Sequence, residues 1–186
     1  DFTIEATVYK TAMSFGGNNG ALIFAQTDNN AGGRNGVALG YKNGGLWLLQ
    51  GNGSGWAVET TVDVFPTDQW VHIAASKNSG TTRYFVNGKL VYTYSTNLNL
   101  SADNNGDISI GSINTTAFDW DGHISNFRII KGTGLYTSSF TPPTEPLTNV
   151  TNTKLLCCQD KFSVTAKAVG PTLTAVGAVV TSDFSP

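Results

Sequence analysis

Few side chains in this 186-residue chain have chemical potential: 13 carboxylates, four tryptophans, two histidines and two cysteines. Glycoside hydrolysis needs two carboxyl groups, about 5 Å apart for retention and somewhat further for inversion. One strand can supply both at alternating positions, but no stretch does so. Glu5 stands alone on its strand, and Glu59 has no acidic partner two residues away. Asp119 and Asp121 flank Trp120 beside Gly122, a pattern that reads as a turn. A Gly-x-Ser-x-Gly nucleophile elbow is missing as well. His72 lies mid-strand and reads as a satisfied sheet histidine, and His123 reads the same way.

The tryptophans point elsewhere. An indole offers a flat apolar face and one donor, which suits stacking on a sugar ring. Trp70 starts an apolar run and reads as core. Trp56 follows Asn52-Gly53-Ser54-Gly55 and Trp120 sits between two aspartates, so these two are the expected exposed ones. Asn52, Trp56, Asp119, Trp120 and Asp121 therefore form the candidate ligand-binding set, with the carboxylates accepting hydroxyls beside a stacking platform. The competing reading is that both indoles merely close the ends of the fold. Acidic residues cluster at Asp103-Asn104-Asn105-Gly106-Asp107 and at Asp119-Trp120-Asp121. Calcium takes six to eight oxygens, and Asp and Asn also favour turns for their own backbone bonding. The turn reading is preferred, and no metal or cofactor is assigned.

Formal net charge is -2 with no basic cluster, so the Lys/Arg stripe that nucleic acid binding requires is absent. No apolar run approaches the roughly 20 residues that cross a bilayer as a helix, and membrane insertion is not expected. Cys157 and Cys158 are adjacent. In a strand their side chains would point to opposite faces, and a bond between them would close a strained ring.

The elements that must position these groups are strands. Gly is abundant at 21 and charged residues make up only 13%, which favours short strands between tight turns. The strongest local signal is Asn87-Gly88 between Arg83-Tyr84-Phe85-Val86 and Lys89-Leu90-Val91-Tyr92. It predicts a two-residue type I′ turn, with Phe85 facing Leu90, Tyr84 facing Val91 and Arg83 facing Tyr92. Trp70–Ala75 reads as a buried central strand before it, and 2–9 as a strand with Phe2, Ile4, Ala6 and Val8 on one face. Further strands are expected at 21–26, 37–42, 46–50, 56–64, 107–111, 123–130 and 154–158, with a bulge near Ser125-Asn126. A chain that enters at once into a strand reads as a fragment lacking an upstream strand.

Taken in order, Phe2-Thr3-Ile4-Glu5-Ala6, Trp70-Val71-His72-Ile73-Ala74, Tyr84-Phe85-Val86-Asn87-Gly88, Asp107-Ile108-Ser109-Ile110-Gly111 and Gly122 through Ile129 resemble the landmarks of the laminin G-like, concanavalin A-like family. Lys131-Gly132-Thr133-Gly134-Leu135-Tyr136, the Phe140-Thr141-Pro142-Pro143 exit and Thr153 through Cys158 resemble the version of that module in bacteriophage virion proteins, those of marine phages above all. Relatives commonly carry Trp where Thr7 stands here.

The resemblance implies an all-β, concanavalin A-like jelly-roll sandwich of two curved antiparallel sheets over 1–158. Residues 159–186 are expected as an extended tail, anchored by Phe184, that docks on the sandwich or on a neighbouring subunit. It also implies a non-catalytic binding module on a virion surface, as part of a tail fibre or capsid. Such a module would recognise host-surface glycan, contact other virion proteins and form a homo-oligomer. The rival is an architectural decoration protein that binds only virion subunits, and the distant alternative is a polysaccharide-degrading enzyme.

Overall fold

A computed structural model describes residues 1–11, 20–26, 36–52, 55–62, 65–95, 108–112 and 118–186. Among these residues all regular structure is strand: β1 Phe2–Lys10, β2 Gly20–Ala25, β3 Val37–Lys42, β4 Gly45–Gly51, β5 Trp56–Val62, β6 Trp70–Asn78, β7 Thr81–Val86, β8 Lys89–Ser95, β9 Ser109–Ile110, β10 Gly122–Lys131, β11 Thr153–Cys157 and β12 Lys167–Val169. They form a seven-stranded sheet in the order β12-β11-β10-β1-β6-β7-β8 and a five-stranded sheet in the order β5-β4-β3-β2-β9. The expected end of β5 at 63–64, and position 107, lie outside the described residues.

The chain forms two compact units, one built from Asp1–Tyr9, Trp70–Asn97 and His123–Pro186, the other from Lys10–Gln69 and Leu98–Gly122. In the second, β2 and β4 are buried along their whole length, so both faces of these strands are covered. Leu22, Ala25, Ala38, Trp47 and Leu49 form one apolar cluster there, with Trp56 and Phe118 packed against it.

In the first unit the Asn87-Gly88 turn forms as expected, with φ of 47° and 73°. Asn87 also ties the hairpin to β6: its Oδ1 accepts the His72 amide at 2.9 Å, and its own amide donates to the His72 carbonyl at 2.7 Å. Phe85 faces Leu90, but Tyr84 then faces Tyr92 and Arg83 faces Thr93. Val91 is thus a bulged residue, which corrects the expected pairing of Tyr84 with Val91. The bulge falls in the edge strand β8, where an interrupted ladder also guards against edge-to-edge pairing. Against β11, the register of β10 shifts between Ile129 and Ile130. At the expected irregularity, Asn126 is in the left-handed region, at φ 53°, and its Oδ1 accepts the Leu147 amide and the Gln159 Nε2.

After β10 the chain runs as a strap across the seven-stranded sheet. Thr133 and Leu135 bond to Thr3 of β1, and the Tyr136 amide donates to Ser76 Oγ of β6. The Phe140 amide then donates to the Gly88 carbonyl. Tyr136 and Phe140 stack at 3.7 Å between ring centroids, and both pack edge-on against Phe85. At Gly88 an added Cβ would lie 1.9 Å from the Phe140 carbonyl oxygen, whereas at Gly44, also at positive φ, it would meet open space. Gly44→Ala therefore carries only the conformational cost of about 1 kcal/mol. Gly88→Ala adds displacement of the strap, so its urea-unfolding midpoint falls clearly below that of Gly44→Ala.

Candidate functional site

The structure divides the expected ligand-binding residues. Asn52 and Trp56 bracket the β4–β5 connection, where Asn52 Oδ1 accepts the Gly55 amide at 3.0 Å and the Asn52 amide donates to the Gly55 carbonyl at 3.0 Å. The Asn52 carboxamide thus bonds within its own turn, and Trp56 packs against the apolar cluster of the five-stranded sheet. Asp119, Trp120 and Asp121 lie in another setting. The Asp119 carboxylate is exposed and accepts the Ser112 hydroxyl at 2.8 Å. Trp120 is half-buried, meets the Phe65 ring edge-on at 6.2 Å and donates its amide to the Gly111 carbonyl.

Beside this indole, the Lys10 ammonium lies 5.8 Å from the ring centroids of both Tyr41 and Trp120. It donates to the carbonyls of Thr11 and Asp121, and the Asp121 carboxylate is 3.9 Å away. Burial pulls the Lys10 pKa down, against the opposing pull of Asp121 and Asp68. Trp120 is therefore an indole of fixed orientation beside an exposed carboxylate. Among the described residues, no group of three or more His, Cys, Asp or Glu is placed to hold a metal ion. The cluster at 103–107 lies outside them.

Sequence reasoning missed a second centre. Glu5 is fully buried, at 0% exposure. Its Oε1 accepts Arg128 Nε and Nη2 at 2.9 and 2.6 Å, and its Oε2 accepts Tyr136 Oη at 2.8 Å and His72 Nε2 at 3.2 Å. Burial pushes the Glu5 carboxyl up, but the hydrogen bonds and the guanidinium outweigh it and hold the pKa below its ordinary value. Tyr136 is pushed up, by burial first and then by the Glu5 charge. With four donors on two oxygens, the carboxylate has no reach toward a substrate, and its work is structural. The only sequence signal was a lone Glu on a face otherwise carrying Thr3 and Thr7.

Trp70, expected in the core, is half-buried at the start of β6. The Phe184 ring stacks on it at 5.4 Å and 26° and also meets Tyr9 at 4.8 Å and His123 at 5.0 Å. The cysteine pair also departs from expectation. The Cys157 and Cys158 sulfurs are 3.6 Å apart because β11 ends at Cys157 and Cys158 takes φ 60°, which breaks strand alternation. The hydrogen bond to Cys158, with burial, pushes the Cys157 thiol up.

A family model described as the concanavalin A-like lectin/glucanases superfamily matches residues 1–133. The chain belongs to this superfamily. The all-β architecture of two antiparallel sheets is that of a concanavalin A-like jelly roll, as the resemblance implied. Among solved structures the chain is similar to a candidate carbohydrate binding protein from Bacteroides ovatus ATCC 8483, with TM-score 0.62 and 16% identity over 90% of this chain and 49% of that one. It is also similar to domain 4 of AbnA, a GH43 extracellular arabinanase from Geobacillus stearothermophilus, in complex with arabinotriose. There the TM-score is 0.54 and the identity 23%, over 72% of this chain and 61% of that one. For a Trypanosoma rangeli sialidase the TM-score is 0.50 and the identity 15%, over 75% of this chain and 21% of that one. The chain thus spans less than two thirds of each of these proteins. No curated protein sequence matches.

Removing one partner of a buried, hydrogen-bonded ion pair costs roughly 3–5 kcal/mol, and Glu5→Gln should lose stability of that order at pH 7. Because the folded pKa is depressed, the stabilisation is present above the ordinary carboxyl value of 4.5 and drains away as pH falls through the lower folded value. The gap between wild type and Glu5→Gln in urea titrations should therefore be constant at neutral pH and narrow below about pH 4.5.

Proposed function

We propose that this chain is a non-catalytic carbohydrate-binding module displayed on the outer surface of a bacteriophage particle, as part of a tail fibre or capsid, where it contacts host-surface glycan. Superfamily membership supports the class. So does likeness to a domain that holds arabinotriose and to a candidate carbohydrate binding protein. The observation that carries the reading is Trp120. Its half-buried indole is fixed by Phe65 and stands between the exposed Asp119 carboxylate and Asp121. A pyranose ring stacks on such a face while its hydroxyls donate to the carboxylate.

A second reading, an architectural protein that binds other virion subunits or copies of itself, is favoured by the C-terminal tail, where Phe162, Val176, Val179 and Val180 are exposed. Exposed apolar side chains, where they join into a patch, mark association surfaces.

A glycan array separates the two. Saturable binding that weakens about tenfold or more in Trp120→Ala, as loss of one aromatic stack implies, supports the lectin. A blank array with tight capsid association supports the decoration protein, and release of shortened products from an oligosaccharide would show an enzyme instead.

A further inference from the structure

The first compact unit carries an aromatic site that the reading above does not use. Tyr9 at the end of β1, Trp70 at the start of β6 and His123 at the start of β10 meet one another, with ring centroids 5.8 to 6.1 Å apart. Their cover is Phe184 from the C-terminal tail, which contacts all three rings. Phe184 itself is 48% exposed, and the chain leading to it is exposed through Val176, Val179 and Val180. The cover is thus one ring on an exposed tether.

Chemically, Phe184 is an incomplete occupant. The Trp70 indole Nε1 is buried without an acceptor among the described residues, and a phenyl ring offers none. A buried donor left unpaired is costly, and an occupant that supplies an oxygen removes that cost. A sugar ring does both things the site asks for: its apolar face stacks on an indole, and its hydroxyls accept and donate at the edge. Imidazole at His123 adds a polar atom to the same rim.

We propose that Tyr9, Trp70 and His123 form a second carbohydrate subsite and that Phe184 is a tethered competitor which closes it. A glycan must displace the phenyl ring to bind, so the apparent affinity is lowered by the fraction of time the site stands open. The proposal rests on the carbohydrate reading above but concerns different residues.

The test uses the full chain with Phe184→Ala, a substitution at a half-exposed side chain, with equal unfolding midpoints as the control for folding. On the glycan array, Phe184→Ala should bind roughly tenfold tighter than wild type or light additional glycans. Trp70→Phe placed in that background should cancel the gain while Trp120→Ala leaves it in place. Acrylamide quenching of tryptophan emission should also rise in Phe184→Ala. If wild type binds and Phe184→Ala binds identically, the competitor is refuted while the carbohydrate reading stands. A blank array for both proteins overturns both proposals. If Phe184→Ala instead turns an oligomer into a monomer in sedimentation, with unchanged array binding, Phe184 is a contact between copies and the subsite is refuted.

Discussion

A single buried negative charge organises the seven-stranded sheet. The Glu5 carboxylate sits at 0% exposure in the middle of β1, where an uncompensated ion would be untenable. Compensation comes from three directions: Arg128 from β10 on one side, His72 from β6 on the other, and Tyr136 from the strap above. Each donor is supplied by a different element, so the charge demands a particular strand order as well as a cover. Arg128 is itself held further, donating Nη1 to the Thr148 carbonyl, which ties the far end of the strap to the same point.

The last residue of β1, in the second compact unit, is a positive counterpart at smaller scale. Lys10 threads between two aromatic rings and caps two carbonyls, and in doing so it fixes the segment that carries Trp120. Two features of this protein thus share a logic in which a charge removed from water dictates where its neighbours lie. In the first case the result is a locked scaffold. In the second, it is an indole packed against Phe65 with the Lys10 ammonium over its ring.

What the residues announced on their own was local. Asn87-Gly88 specified its turn because both residues had to take positive φ and their neighbours were apolar. The strand limits at Val37–Lys42 were readable for the same kind of reason, since Asn43 and Gly44 follow directly. The slip at Val91 was not, because a bulge in an edge strand answers to twist and cover rather than to composition. The donors around Glu5 were not legible because they stand 67 to 131 positions away. Trp70 was read from its apolar followers, although the ring lies where the strand begins and meets a tail ring from position 184. Of the expected ligand set, Asp119, Trp120 and Asp121 stayed together because they are sequence neighbours. Asn52 and Trp56 parted from them because turn bonding and core packing claimed them first.

The order of those distant partners bears on how the polypeptide is made. Glu5 leaves a ribosome 123 residues ahead of Arg128 and 131 ahead of Tyr136. Until both have emerged, the carboxylate lacks three of its four donors and stays hydrated beside His72 of β6. Burial of the charge therefore waits on contacts far apart in sequence, a kind of pairing that forms slowly.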